Sequence, residues 1–104
     1  MAWATAGVQI NPATDAILAD TGALSPGGTT NITIVIGGSV AFIVTVEHRN
    51  AANSANVTSQ VIAAAANTPY DVIFPGVIFA SGERIRVRLT AGVTGSVQAS
   101  LFVF

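Results

Sequence analysis

In the stretch Ser81–Ala91, SGERIRVRLTA, polar and apolar residues alternate without a break after the Ser-Gly turn: Arg84, Arg86 and Arg88 against Ile85, Val87 and Leu89. Successive side chains of a strand point to opposite faces, so this pattern predicts a strand with Ile85, Val87 and Leu89 in a core. The same period recurs in Thr29–Ile36, where Ile32, Ile34 and Ile36 oppose Asn31, Thr33 and Val35. It recurs again in Val40–Arg49, where Phe42, Val44 and Val46 oppose Ile43, Thr45, Glu47 and Arg49. Gly37-Gly38 lies between these two runs, and a glycine pair between alternating runs predicts a hairpin. In the final stretch, Ser96–Phe104, Val97, Ala99, Leu101 and Val103 alternate with Gln98, Ser100, Phe102 and Phe104. Both rows turn apolar towards its end, which predicts a strand covered on both faces.

The remaining segments are less regular. Met1–Ile10 alternates loosely before Asn11-Pro12 breaks it, so residues 1–12 read as an extended N-terminal arm or an edge strand. Thr14–Leu24 reads as an irregular strand, with a short helix as the alternative, and Ser25–Gly28 as a turn. Asn50–Asn56 is a polar loop. Val57–Ala66 divides the signals, its alanines favouring helix and its Thr58, Val61 and Ile62 favouring strand, and it is assigned as strand. Tyr70–Phe74 reads as a strand, Pro75-Gly76 as a break, and Val77–Ala80 as a further short strand. About eight short strands with turn signals every 8–12 residues or so predict an all-β fold, a single antiparallel β-sandwich of jelly-roll type spanning residues 1–104.

Composition sharpens this picture. Of the 104 residues 51% are apolar and 9% charged, there is neither lysine nor cysteine, and the net charge is -1. So sparse a charge set predicts a surface covered by copies of the chain or by another protein. The absence of cysteine removes disulfides and thiolate metal sites. No apolar run approaches the roughly eighteen residues of a membrane helix, and the first ten residues lack the pattern of a secretory signal, so a chain made in the cytoplasm and not secreted is expected.

Catalytic chemistry finds little support. His48 is the lone histidine, and on a strand its neighbour Glu47 points to the opposite face, so a structural histidine is expected, with no metal site. Asp15, Asp20, Glu47, Asp71 and Glu83 show no spacing that pairs them as acid and base, and no G-x-S-x-G elbow or phosphate-binding glycine loop occurs. The expectation is a protein that is not an enzyme and takes no cofactor. The row Arg84, Arg86 and Arg88 suits either a solvated face or ion pairs, with Glu47 on an adjacent strand or with acidic groups across an interface. Nucleic acid is not expected as a partner of a slightly acidic chain with no interleaved aromatics.

A lysine-poor, cysteine-free β chain of this size, with the loop HRNAANSA (His48–Ala55) and the strand GERIRVRL (Gly82–Leu89), resembles the small capsid decoration or cement proteins of tailed bacteriophages. That resemblance implies a jelly-roll structural protein of the virion, seated on the outer capsid surface as a homotrimer or other cyclic homo-oligomer and clamping neighbouring subunits of the major capsid protein. It implies no catalytic residue and no membrane partner. The contact residues expected on this reading are Trp3 and Ile10 in the arm, Phe102 and Phe104 at the end, and Arg84, Arg86 and Arg88. The alternative is a receptor- or carbohydrate-binding sandwich of a phage fibre or spike, with Tyr70, Trp3 and Asp71 as the candidate sugar platform.

Overall fold

The structure, a computed structural model, describes residues 2–24 and 29–103, with 2, 3, 29 and 30 described by their backbone alone. The Ser25–Gly28 turn and Phe104 lie outside the described residues. Within them the chain forms nine strands and no helix. These are β1 (Ala2–Thr5), β2 (Gln9–Ile10), β3 (Ile17–Asp20), β4 (Thr29–Gly38), β5 (Phe42–Arg49), β6 (Asn56–Ala64), β7 (Tyr70–Ile78), β8 (Arg84–Leu89) and β9 (Ser96–Val103).

One rule generates most of the pairing. β1 and β2 pair with β9, β3 with β8, β4 with β7 and β5 with β6, all antiparallel. Ala2 lies opposite Val103, Gln9 opposite Val97, Ala19 opposite Val87, Ile34 opposite Val72 and Val44 opposite Ile62. Throughout these pairs the two residue numbers add to between 105 and 107. The chain is therefore doubled into one long hairpin with its apex at Asn53. Winding that ribbon on itself sets β4 against β9, with Ile34 opposite Leu101, and β5 against β8, with Val46 opposite Val87. The result is two sheets, β1-β9-β4-β7 (sheet A, where β2 also pairs with β9) and β3-β8-β5-β6 (sheet B). Two antiparallel sheets wound from one doubled ribbon form the predicted jelly roll. β1 and β2 are a single edge strand interrupted around Gly7 (φ 77°).

The core lies between the sheets and is built from the predicted alternation. Sheet A contributes Ile32, Ile34, Ile36, Val97, Ala99, Leu101 and Val103. Sheet B contributes Leu18, Phe42, Val44, Val46, Ile62, Ala64, Ile85, Val87 and Leu89. Burying a side chain such as Leu101 or Ile34 completely stabilises the fold by about 1.5–3 kcal/mol each. β6 resolves the divided segment as strand, because Ile62 and Ala64 face the core in register with Val44 and Phe42.

Two local expectations are corrected. The runs flanking Gly37-Gly38 do not pair with each other: β4 belongs to sheet A and β5 to sheet B, and the chain crosses between the sheets at 39–41. Gly38 is still extended, opposite Val97. A Cβ built there would lie 2.5 Å from the Ser96 carbonyl oxygen and 3.1 Å from Phe42 and Val97 side-chain atoms, so the glycine allows close backbone approach instead of a tight turn. Nor do Pro75-Gly76 end a strand. β7 runs through them as an edge strand, where the missing N–H of proline removes no ladder bond. The extra residue forms a bulge opposite Asn31, whose Oδ1 accepts a hydrogen bond from the Gly76 amide at 3.1 Å.

The apex of the ribbon is tied internally. Asn50 Oδ1 accepts from the amides of Ser54 (2.8 Å) and Ala55 (3.3 Å), and Asn53 takes a positive φ of 54°. Arg49 clamps the loop, donating from Nε to Asn53 Oδ1 (2.9 Å), from one Nη to the Asn53 carbonyl (2.8 Å) and from the other to Asn56 Oδ1 (2.9 Å).

Three substitutions test these points by urea unfolding. Gly38→Ala is expected to cost about 1–3 kcal/mol through overpacking against backbone, whereas Gly37→Ala, with only Pro69 Cα at 3.9 Å, stays within about 0.5 kcal/mol of the parent. Arg49→Ala is expected to cost about 1–3 kcal/mol by releasing the apex hydrogen bonds. Equal midpoints for the two glycine variants, or an unchanged one for Arg49→Ala, would contradict the packing described.

Candidate interaction surfaces

The arginine row faces outwards on sheet B, and its charges are met within the chain. β5 brings Glu47 opposite Arg86, and the wound ribbon brings Asp15 and Asp20 from the β3 region to the other side of β8. Arg86 Nε donates to Glu47 Oε1 at 2.6 Å, and Arg88 Nε reaches the same oxygen at 3.4 Å. A terminal nitrogen of Arg88 meets Asp15 Oδ1 at 2.6 Å, and one of Arg84 meets Asp20 Oδ2 at 3.5 Å. Asn56 Nδ2 donates to the second oxygen of Glu47 at 2.9 Å. Glu47 is 3% exposed although it stands on the outer face, because the arginine stems lie over it. Burial pushes its carboxyl up, but hydrogen bonds from Asn56 and Arg86 and the charges of Arg86 and Arg88 outweigh that and hold it below the ordinary value of 4.5.

The inner face at the same end of β5 carries His48. Its Nε2 lies 2.9 Å from Glu83 Oε1, and its ring meets Phe79 at 4.7 Å between centroids with an interplanar angle of 55°. Glu83 Oε1 also accepts the Ala80 amide at 2.7 Å, so the histidine pins the turn that links β7 to β8. The Ala80 amide and the His48 hydrogen bond hold the Glu83 carboxyl below 4.5. The expected separation of Glu47 and His48 to opposite faces is found. Among the described residues no group of three or more His, Asp or Glu side chains is placed to hold a metal ion. No described helix is long and apolar enough to cross a membrane.

Beside His48 a cleft of about 140 Å³ opens between the edges β6 and β7. Ile32, Val46, Phe74, Val77 and Ile85 line it, with Thr58, Ser59 and Gln60 from β6. The opposite flank of the sandwich is closed. There the Ala6 amide donates to the Leu18 carbonyl at 3.0 Å and Gln9 Nε2 to the Ile17 carbonyl at 3.1 Å, lacing the β1–β2 segment to β3.

The strands of sheet A carry one charged residue, Asp71, whereas those of sheet B carry Asp20, Glu47, Arg49, Arg84, Arg86 and Arg88. The register places Phe102 between Trp3 and Thr33, Ser100 between Thr5 and Val35, and Ile73 opposite Thr33 on the outer face of sheet A. Phe102 is half-buried and Ile73 exposed. Ile10 is exposed on β2, and Tyr70 is exposed on β7, on the opposite face from Asp71. The predicted contact residues thus divide: Trp3 and Phe102 occupy neighbouring positions on one face, Ile10 lies near the end of β9, and the arginines stand on the far sheet.

No protein-family model and no curated protein matches the chain.

The partners of the arginines were missed in part. Glu47 is legible as an adjacent-strand acid, but Asp15 and Asp20 reach the row only through the global winding. Glu47→Gln is expected to destabilise the protein by about 2–4 kcal/mol at neutral pH, since it leaves Arg86 and Arg88 facing a neutral group in a buried setting. The pH dependence follows from the lowered carboxyls. A depressed folded-state value stabilises the protein above the ordinary value, and that stabilisation is lost as pH falls through the folded value. Unfolding midpoints are therefore expected to hold steady at neutral pH and to fall below about pH 4.5, less steeply in Glu47→Gln. Identical acid limbs for the variant and the parent would refute the role given to Glu47.

Proposed function

We propose that this chain is a structural virion protein that decorates a bacteriophage capsid, oligomerising and clamping neighbouring subunits of the major capsid protein from outside. The observation that carries this reading is the division of charge between the sheets of a jelly roll. Sheet A offers a broad outer face, with the positions of Trp3 and Phe102 side by side and Asp71 as the one charge on its strands. Depletion of charge with aromatic enrichment is the composition of the buried centre of a protein interface. The arginines of sheet B are engaged within the chain, so they serve the body of the molecule more than a partner. A subunit held by many shallow contacts needs a stiff body, and the ion-paired sheet supplies it.

The test adds purified protein to capsids that lack it. Co-sedimentation with the shells and a raised temperature of shell disruption are expected, and Phe102→Glu is expected to weaken binding at least tenfold while the variant stays folded by circular dichroism. A protein that never co-sediments with shells overturns the proposal. Reproducible glycan binding that disappears with Tyr70→Ala would replace it with the receptor-binding reading, which the exposed Tyr70 favours.

A further inference from the structure

We propose that β6 is a self-association edge, pairing antiparallel with β6 of a second copy about a two-fold axis at Gln60. Each sheet ends in two edge strands, and all but one are obstructed. β3 is four residues long and laced to the β1–β2 segment. β1 and β2 are short and interrupted at Gly7, and β7 is bulged at Pro75-Gly76. β6 has nine residues, pairs with β5 without a shift from Thr58 to Ala64, and contains no charge and no proline. Natural edges are normally guarded by lysine, proline, bulges or covering segments, and β6 has none of these along that run.

The backbone phase of this edge follows from one hydrogen bond. Thr90 N donates to Ile43 O at 2.9 Å, so Ile43 directs its backbone polar groups towards β8. Its partner Ala63 on the other side of β5 therefore directs its own away from β5. By alternation Ser59 and Val61 do the same within the run that pairs with β5 without a shift. A regular antiparallel seam must set such residues opposite one another, so the sum of paired residue numbers is even and the axis passes through a residue. An axis at Gln60 lies within the unshifted run: Ser59 meets Val61 of the second copy on either side of it, and about four backbone hydrogen bonds form.

The side chains agree with the backbone. Val57 (55% exposed) and Val61 (64% exposed) stand on the outer face beside the exposed Ile43, and no charge repels its own copy across the axis. An isologous contact requires this self-complementarity, and the seam sets a second strand beside the mouth of the cleft next to β6. The inference names the geometry of self-association within the oligomeric reading above, but its test does not depend on a capsid.

Gln60 faces its own copy as a pair without mutual backbone hydrogen bonds, the closer type of cross-strand pair, and the chain has no cysteine. Under mild oxidation Gln60→Cys is expected to give a disulfide-linked dimer in high yield, whereas Ile73→Cys on sheet A, also an exposed position, is expected to stay monomeric on a non-reducing gel. In parallel, Val61→Lys is expected to weaken self-association at least tenfold by sedimentation velocity, and Ile73→Lys to leave it unchanged. Gln60→Cys that oxidises no faster than Ile73→Cys, or an oligomer indifferent to Val61→Lys, overturns the proposal. Cross-linking without shell binding would leave the edge standing and the capsid reading fallen; shell binding without cross-linking would do the reverse.

Discussion

The structure depends on a single constraint, the near-constant register that doubles the chain about Asn53. Once the Asn50–Ala55 loop closes, β5 and β6 are aligned, and each further pair, β4 with β7, β3 with β8 and β1 with β9, extends the same ribbon outwards. The loop entropy of each step is small because the previous pair has already brought the strands together. Three irregularities of one residue, at His48/Arg49, at Thr30/Ile32 and at Ile17/Ala19, move the register without breaking it. The clamp of Arg49 on Asn53 and Asn56 therefore acts on the alignment of the whole ribbon, not only on a surface loop.

Winding the ribbon is a separate requirement, met by the core and not by the register. β4 against β9 and β5 against β8 are the contacts that turn a long two-stranded ribbon into two sheets, and their inner faces are the most deeply buried surfaces in the protein. A lone ribbon is marginal in water because one face of each strand stays wet. Rolling it buries Ile32, Ile34 and Ile36 against the row Ile85, Val87 and Leu89 from the other layer. Gly38 permits the roll, since the chain passes from one sheet to the other where β4 lies against Ser96 and Val97 with no room for a Cβ.

How much of this was legible in the sequence follows from the range of each signal. A period of two is local, so the core rows of β4, β5, β8 and β9 could be read directly, and the sandwich class with them. Partner choice is not local. The glycine pair at 37–38 suggested a hairpin, and the structure uses those residues in a crossing between layers. Pro75 suggested a strand end, and the edge position of β7 removes the penalty that reading assumed. On the surface, the arginine row and Glu47 were visible as an alternating pattern, whereas Asp15 and Asp20 lie over sixty residues away from their partners in the chain. The strand period alone separates the one histidine from Glu47, and the structure sets His48 against Glu83 and Glu47 against Arg86.

The same winding explains how a domain with so few charges divides its surface. Charges drawn from β3, β5 and β8 meet on one face because the ribbon places those three strands side by side, and there they neutralise one another at short range. What remains for the rest of the surface is nearly uncharged, and with a net charge of -1 little long-range repulsion separates two copies. Selectivity in association must then come from shape and from backbone hydrogen bonding. Lacing on one flank and the Pro75 bulge on β7 obstruct most of the edges, so the fold leaves one strand, β6, with a regular and uncharged row of backbone groups. In a protein that repels its copies so weakly, such an edge is a site for specific pairing or a liability, and the self-complementary phase at Gln60 favours pairing.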